Sequence, residues 1–249
     1  MKNPLALATL FCALTLTFTT AAQAATLKVA STPTGSPFTF LDTKTNSVEG
    51  VMVDIVNAVS KKAGFEVQIE PMPFASLIGS LTSRRVDLIS AAMFITPARQ
   101  QVVDFSNPIY SYGEGVVAPN TDTTAYTSFS EMKGKKVGVQ VGTAFVEPLQ
   151  KSGLFSEVKL YETTADLMRD ANAGRIDIGV LDYPIAAYAI NQKVFPALHL
   201  VTTYKATMPN NIGIAGRKGD TELMGKINTA LAELKADGSI DAILKKWGL

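Results

Sequence analysis

Two periodicities take turns along this chain, the period of 2 of a strand and the 3.6-residue period of a helix, and their order sets the fold class. Residues 27–30 form a short apolar run of strand length, ended by a Pro/Gly/Ser-rich loop at 31–37. Residues 38–41 are largely apolar, and 42–49 are turn-rich. From Val51 onward, Met52, Ile55, Val56 and Val59 fall on one helix face, and Gly64 stands where a C-cap is needed. Phe65, Val67 and Ile69 alternate with Glu66, Gln68 and Glu70, which predicts a strand. Phe74, Leu77, Ile78 and Leu81 predict a helix over 74–83 that leads into a buried strand at 86–89. The order β-α-β-α-β is that of a parallel sheet with helical crossovers.

The plan then recurs. A strand around 115–120 runs into a Pro/Asn/Thr-rich stretch at 119–128, which reads as a crossing to a second lobe. After it the pattern predicts a strand at 136–140, a helix opened by Gly142 and Thr143 and ending at Lys151, and a strand at 158–160. A helix at 164–172, a strand at 175–180 and a helix from Asp182-Tyr183-Pro184 to about Gln192 follow. A strand at 198–202 leads to the return crossing at 203–208, then a strand at 212–215 and helices at 221–236 and 239–247. Ser83-Arg84-Arg85-Val86-Asp87-Leu88-Ile89 is echoed by Ala173-Gly174-Arg175-Ile176-Asp177-Ile178-Gly179, each after a helix and each opening a buried strand.

Candidate chemistry gathers just beyond these two echo strands, where open α/β sheets bind ligands. Thr96 followed by Pro97 reads as an N-cap with Pro at the first helical position. Arg99 then stands in the first turn, where the macrodipole disfavours a cation unless an anion lies against it. The competing assignment is a solvated Arg99, or one paired with Asp104. Asp182 ends the apolar run of the second echo strand and precedes Pro184, so it is either a helix N-cap or a carboxylate that faces an ammonium group. A cation and an anion at equivalent tips of facing lobes would clamp a zwitterion. Phe94 lies in the loop before Thr96, where burial has no periodic reason, and Phe74 heads a helix; two aromatic faces there would favour a neutral or cationic ligand over an acidic one.

Composition acts mainly by exclusion. Lys2, an apolar run at 5–18 and Ala22-Gln23-Ala24 predict a secretory signal peptide, residues 1–24, cut after Ala24. The single cysteine, Cys12, lies inside it, so the exported chain is expected to have no thiol chemistry. The 23 basic residues less Lys2 balance the 22 acidic ones, which removes the electrostatic case for nucleic acid or an anionic membrane. His199, the single histidine, alternates in a strand and reads as structural. No metal, cofactor or Ser–His–Asp triad is therefore expected, and no acid stands out as needing a raised pKa.

Several stretches in this order resemble the periplasmic solute-binding proteins of family 3, which serve amino-acid ABC importers. They are Glu49-Gly50-Val51-Met52-Val53-Asp54-Ile55, Ile95-Thr96-Pro97-Ala98-Arg99, Asp104-Phe105-Ser106-Asn107-Pro108, Gly134-Lys135-Lys136-Val137-Gly138-Val139-Gln140-Val141-Gly142-Thr143, Gly174-Arg175-Ile176-Asp177 and Lys245-Lys246-Trp247. The wording of Met93-Phe94-Ile95-Thr96-Pro97, with Gly113-Glu114-Gly115 downstream, is similar to the ectoine-binding branch.

The resemblance implies an α/β, two-lobe periplasmic-binding-protein fold (type II) with two hinge strands. One lobe would take residues 25–116 and 208–249, and the other 117–207. It implies that Arg99 grips a ligand carboxylate and Asp182 its amino group, with backbone groups near Ala92 and Phe94, the Thr96 hydroxyl and the Thr143–Ala144 turn completing the polar shell; Phe74 and Gln140 are further candidate contacts. It further implies a small zwitterion (a polar amino acid, an opine or a compatible solute), an ABC importer permease as partner, and a monomer in the periplasm. Two features depart from many amino-acid binders: Thr32 stands near the place of an acid and Gly35 near that of an aromatic residue. An exported enzyme on the same fold, similar to cyclohexadienyl dehydratases, is the alternative, and it needs a poised acid or base. The sensory domain of a receptor, a third reading, would need a membrane span after the domain, and none is expected.

Overall fold

In a computed structural model that describes residues 25–249, the first apolar run becomes β1 (Thr26–Ser31). The expected signal peptide, with Cys12, lies outside the described residues. The loop and turn-rich stretch after β1 carry more structure than their composition suggests. β2 (Thr34–Gly35), β3 (Thr39–Asp42) and β4 (Ser47–Glu49) form a small antiparallel sheet there. Pairing between neighbours, rather than intrinsic preference, makes these strands. α1 (Val51–Ala63) follows, and Gly50 before it has φ 125 and no space for a side chain, since a Cβ would lie 2.4 Å from the Phe38 carbonyl oxygen. Gly64 closes α1 in the left-handed conformation.

β5 (Glu66–Pro71) comes next, and the helix expected over 74–83 divides into a 3-10 turn, Phe74–Ser76, and α2 (Leu77–Thr82). β6 (Leu88–Ile89), α3 (Pro97–Gln100), β7 (Val103–Phe105) and β8 (Tyr110–Tyr112) lead to β9 (Glu114–Pro119). Then come β10 (Lys136–Gln140), α4 (Val146–Lys151), β11 (Glu157–Tyr161), α5 (Thr164–Asn172), β12 (Ile178–Asp182), α6 (Tyr183–Asn191) and β13 (Leu198–Leu200). The return brings β14 (Asn210–Ile212), β15 (Ala215–Arg217), α7 (Thr221–Ala236) and α8 (Ser239–Lys246).

Two five-stranded sheets organise these elements, in the orders β5-β1-β6-β15-β7 and β11-β10-β12-β9-β13. Three parallel strands open each sheet, and the fourth runs antiparallel. The fourth strand is supplied by a crossing: β9 as the chain leaves the first sheet, β15 after it returns. β9 belongs to the second sheet from Glu114 on, so the outgoing crossing falls at Gly113, ahead of the boundary at 116 that the sequence suggests. The strand expected at 212–215 is two strands because the chain changes partner there. β14 pairs with β8, whereas β15 pairs with β6 and β7.

The sequence echo is a structural repeat. Asp87 N–H donates to the Lys28 carbonyl (2.8 Å) and its carboxylate accepts from Lys28 N–H (2.9 Å). Asp177 does the same at Lys136, at 2.9 and 2.7 Å. In both, the residue that lets the chain turn has a positive φ, 62° at Arg84 and 69° at Gly174. Each aspartate thus ties the third strand of its sheet to the start of the first. Two further motif stretches meet where the Trp247 indole N–H and the Lys246 ammonium both donate to Asp54, at 2.8 and 2.7 Å. That contact fixes the end of α8 against α1.

Asp177→Ala removes one charge-assisted acceptor from a solvent-exposed strand end. It should cost about 1 kcal/mol of stability, read as a lower urea midpoint at unchanged slope.

Candidate functional site

The segment between β6 and α3 aims backbone as well as side chains at the space between the two lobes. Ala92 is held at φ 52, a left-handed conformation rare for alanine, and the Tyr112 hydroxyl donates to its carbonyl at 3.0 Å. Phe94 is buried and bridges Ile212, which leaves its ring against Tyr112 (4.9 Å) and Phe145 (5.4 Å, edge-on). Thr96 caps α3, its hydroxyl accepting from Arg99 N–H at 3.3 Å. α3 has four residues only, too short for a macrodipole to matter, so Arg99 is placed by its side-chain partners.

Those partners span the two lobes. One Arg99 terminal nitrogen donates to the Phe94 carbonyl (2.8 Å) and the other to the Gly142 carbonyl (2.9 Å) across the boundary. The guanidinium lies 5.7 Å from the centre of the Phe74 ring. Asp104, the alternative partner, instead holds the Lys218 ammonium and the Gly219 N–H, both at 2.7 Å. Burial pulls the Arg99 pKa down to about 10 against the opposing charge of Asp182, which leaves Arg99 cationic at neutral pH.

Asp182 is the last residue of β12 and stands at the N-cap position of α6, but its side chain makes no capping hydrogen bond. It faces the Arg99 cavity instead. Burial pushes its pKa up to about 7, while the Tyr112 hydroxyl and Arg99 beside it act in the other direction. An acid with a raised pKa is therefore present, contrary to the sequence expectation. Its cause is desolvation, which depends on tertiary packing alone.

Arg99, Asp182, Phe74, Ala92, Phe94, Thr143 and Ala144 all line one cavity, together with Phe145. Its volume is about 10 Å³, room for a single water at most, so a larger guest must part the lobes to enter. Two expected residues stand behind this wall. The Thr96 hydroxyl is committed to capping, and the Gln140 amide donates to the Glu162 carbonyl at 2.9 Å. The Gln140 carbonyl meanwhile accepts from the Thr143 hydroxyl at 2.8 Å, and this turn delays α4 to Val146, past the expected start at Gly142 and Thr143.

Tyr112 and Phe145 are the residues that sequence reasoning missed. Phe145 falls inside the helix expected from Gly142 to Lys151, where its i, i+4 spacing from Leu149 reads as core, and Tyr112 carries no signal. In the first loop, the Thr32 hydroxyl donates to the Met72 carbonyl (3.0 Å) and Gly35 lies against Ile185, so neither faces the cavity. A larger groove of about 650 Å³ runs between α6 and the end of α8, walled by Tyr110, Tyr183 and Trp247. The convergence of Arg99 and Asp182 makes the smaller cavity the candidate site. Among the described residues, no cluster of three or more metal-ligating side chains occurs, and no helix is long and apolar enough to cross a membrane.

A model of the bacterial extracellular solute-binding proteins, family 3, matches residues 27–249. The putative ABC transporter arginine-binding protein 2 of Escherichia coli (strain K12) is 34% identical over 242 residues, 96% of this chain and 97% of that protein. The structure of an ancestral arginine-binding protein bound to glutamine superposes with a TM-score of 0.83 at 33% identity, covering 91% of this chain and 99% of that one. An ancestral amino acid-binding protein described as a precursor of cyclohexadienyl dehydratase gives a TM-score of 0.80 at 30% identity, covering 90% and 95%.

The desolvation of the Asp182 carboxylate has a consequence for stability. Asp182 titrates near 3.8 when solvated and at about 7 in the fold, so the folded state holds an extra proton between those values. Its contribution to stability is therefore lost as pH rises through that window. Denaturant midpoints from pH 4 to pH 8 should show Asp182→Asn gaining on the wild type as pH increases; a pH-independent difference would contradict this.

Proposed function

The chain belongs to the bacterial extracellular solute-binding proteins of family 3, and from that membership we propose that Arg99 and Asp182 capture a small zwitterion between its closing lobes. It is a solute-binding protein that delivers an amino acid or related zwitterion to an ABC importer. One observation carries the assignment of roles: a cation from one lobe and a carboxylate from the other converge on the same small cavity, and the hydrogen bonds of Arg99 go to neutral carbonyls rather than to an opposite charge. A ligand carboxylate would take the Arg99 donors from the Phe94 and Gly142 carbonyls. A ligand ammonium would bring Asp182 back to its charged form. Each charge of the guest thus cancels a desolvation cost that the closed protein otherwise bears.

The lobes divide, on this reading, at Gly113 and along the return crossing, giving residues 25–113 with 208–249 and residues 114–207, and the protein works as a monomer in the periplasm. The ligand's remaining side chain meets Phe94 and Phe145 and, among the cavity-lining residues, no second cation. Phe74 offers less than its position in the sequence suggests, because Arg99 already occupies that ring. Neutral and cationic amino acids fit these walls, and the arginine-binding relative and the glutamine-bound neighbour support that class. Opines and compatible solutes have the same charge pattern and belong in the same test.

An enzymatic reading draws on one observation, the cavity acid that holds a proton near neutral pH. The similarity to a dehydratase precursor supports considering it. The binding reading needs less: a single acid whose proton leaves when an ammonium arrives. Turnover of prephenate or arogenate by the purified protein would decide for the enzyme.

Two measurements follow. In a calorimetric panel of amino acids, opines and compatible solutes, neutral or cationic zwitterions should bind best, and glutamate and aspartate poorly; glutamate at the top would overturn the pocket assignment. Arg99→Ala should weaken the best ligand by about 2–4 kcal/mol, on the order of 30- to 1,000-fold, because a bidentate charge-assisted contact is lost and a carboxylate is left buried. Unchanged affinity in the folded variant would remove Arg99 from the site.

A further inference from the structure

Glu114 is 1% exposed, and its carboxylate is satisfied without a cation. One oxygen accepts from the Tyr204 hydroxyl (2.7 Å), the Thr207 N–H (2.6 Å) and the Thr207 hydroxyl (2.9 Å), and the other from the Met208 N–H (3.0 Å). All four donors lie on the return crossing between β13 and β14, while Glu114 opens β9 directly after the outgoing crossing. Burial pushes the Tyr204 phenol upward, so it stays a donor. The flanking glycines press the same joint together. A Cβ on Gly113 would lie 2.4 Å from the Ala206 side chain, and one on Gly115 would lie 2.9 Å from the Tyr183 backbone. The Gly113 carbonyl accepts from Tyr183 N–H at 3.0 Å, and Glu114 is the register partner of Asp182.

From this we propose that Glu114 is a positioning residue that fastens the two crossings into one joint and, through the pairing of β9 with β12, holds Asp182 at the mouth of the cleft. It touches no ligand. The inference rests on Asp182 being the ammonium contact, and it adds the device that keeps this contact in place while the lobes move. A carboxylate suits the task because it accepts from four donors and offers none. An amide of equal size must turn an NH₂ toward at least one of those donors.

Glu114→Gln is the informative variant, with amide hydrogen exchange as the first readout because it needs no ligand. A clamp that holds only the return crossing would release Thr207 and Met208 and leave Tyr183 as protected as in the wild type. The joint proposed here requires Tyr183, beside Asp182, to lose at least tenfold in protection as well. Tyr204→Phe removes a single donor and should shift the same three amides by less, which keeps the test informative if Glu114→Gln does not fold. Calorimetry with L-arginine is the second readout, with at least tenfold weaker binding expected in Glu114→Gln. Wild-type protection at Tyr183 in both variants overturns the proposal, as does unaltered L-arginine affinity in Glu114→Gln where the wild type binds it. If L-arginine fails to bind the wild type, or Arg99→Ala leaves binding intact, the ligand assignment is at fault, and hydrogen exchange still decides the role of Glu114.

Discussion

Two opposite charges drawn partly out of water at one lobe boundary are the constraint on which the rest of this structure depends. Neither Arg99 nor Asp182 is comfortable there, and burial moves each toward its neutral form. The protein compensates Arg99 with carbonyls taken from both lobes, at Phe94 and Gly142, and with the Phe74 ring. Asp182 has no equivalent. The Tyr112 hydroxyl beside it donates to the Ala92 carbonyl. On the proposed reading, a zwitterion would supply what is missing at both ends, so that closure and capture become one event rather than two. Such closure would be of the hinge type, in which ligand contacts with both lobes stabilise the closed arrangement over the open one.

The scaffold earns its symmetry from a repeated piece of chemistry. Asp87 and Asp177 perform the same two hydrogen bonds at the same place in their sheets, and the strands that follow them lead to Arg99 and to Asp182. Because both sheets place that third strand next to an antiparallel fourth strand, their tips face a common cleft. The fourth strands come from the two crossings, which makes the connection between lobes part of each sheet instead of a loose tether. Gly142 completes the approach. It has φ 78, and a Cβ there would lie 2.9 Å from the Ala75 backbone, so the lobes meet over a position that only glycine tolerates in this geometry.

Much of the fold was legible because its signals are local. Helix α5 spans Thr164–Asn172 and α7 spans Thr221–Ala236, as their periodicity predicts, and β10 occupies its expected residues. Each is specified by residues within one or two turns or strand repeats. The errors are equally instructive. The strands β2 to β4 exist only because they pair with each other, and the break between β14 and β15 exists because the chain changes partner. Neither fact is written in any window short enough to read by periodicity.

At the site, sequence alone placed Asp182 at the end of one echo strand and Arg99 beyond the other, as candidates to face a common ligand. Capping rules identified Thr96, and the aperiodic aromatic identified Phe94. Tertiary structure decided what each of them does. Whether Asp182 caps a helix or faces a cavity, and whether Arg99 pairs with Asp104 or reaches Gly142, depends on partners 43 residues away or more. The same holds for Glu114, whose donors lie 90 to 94 residues further on. Burial by distant segments leaves no local pattern, and desolvation, which sets the charge state of this site, is a property of the packed chain rather than of any stretch of it.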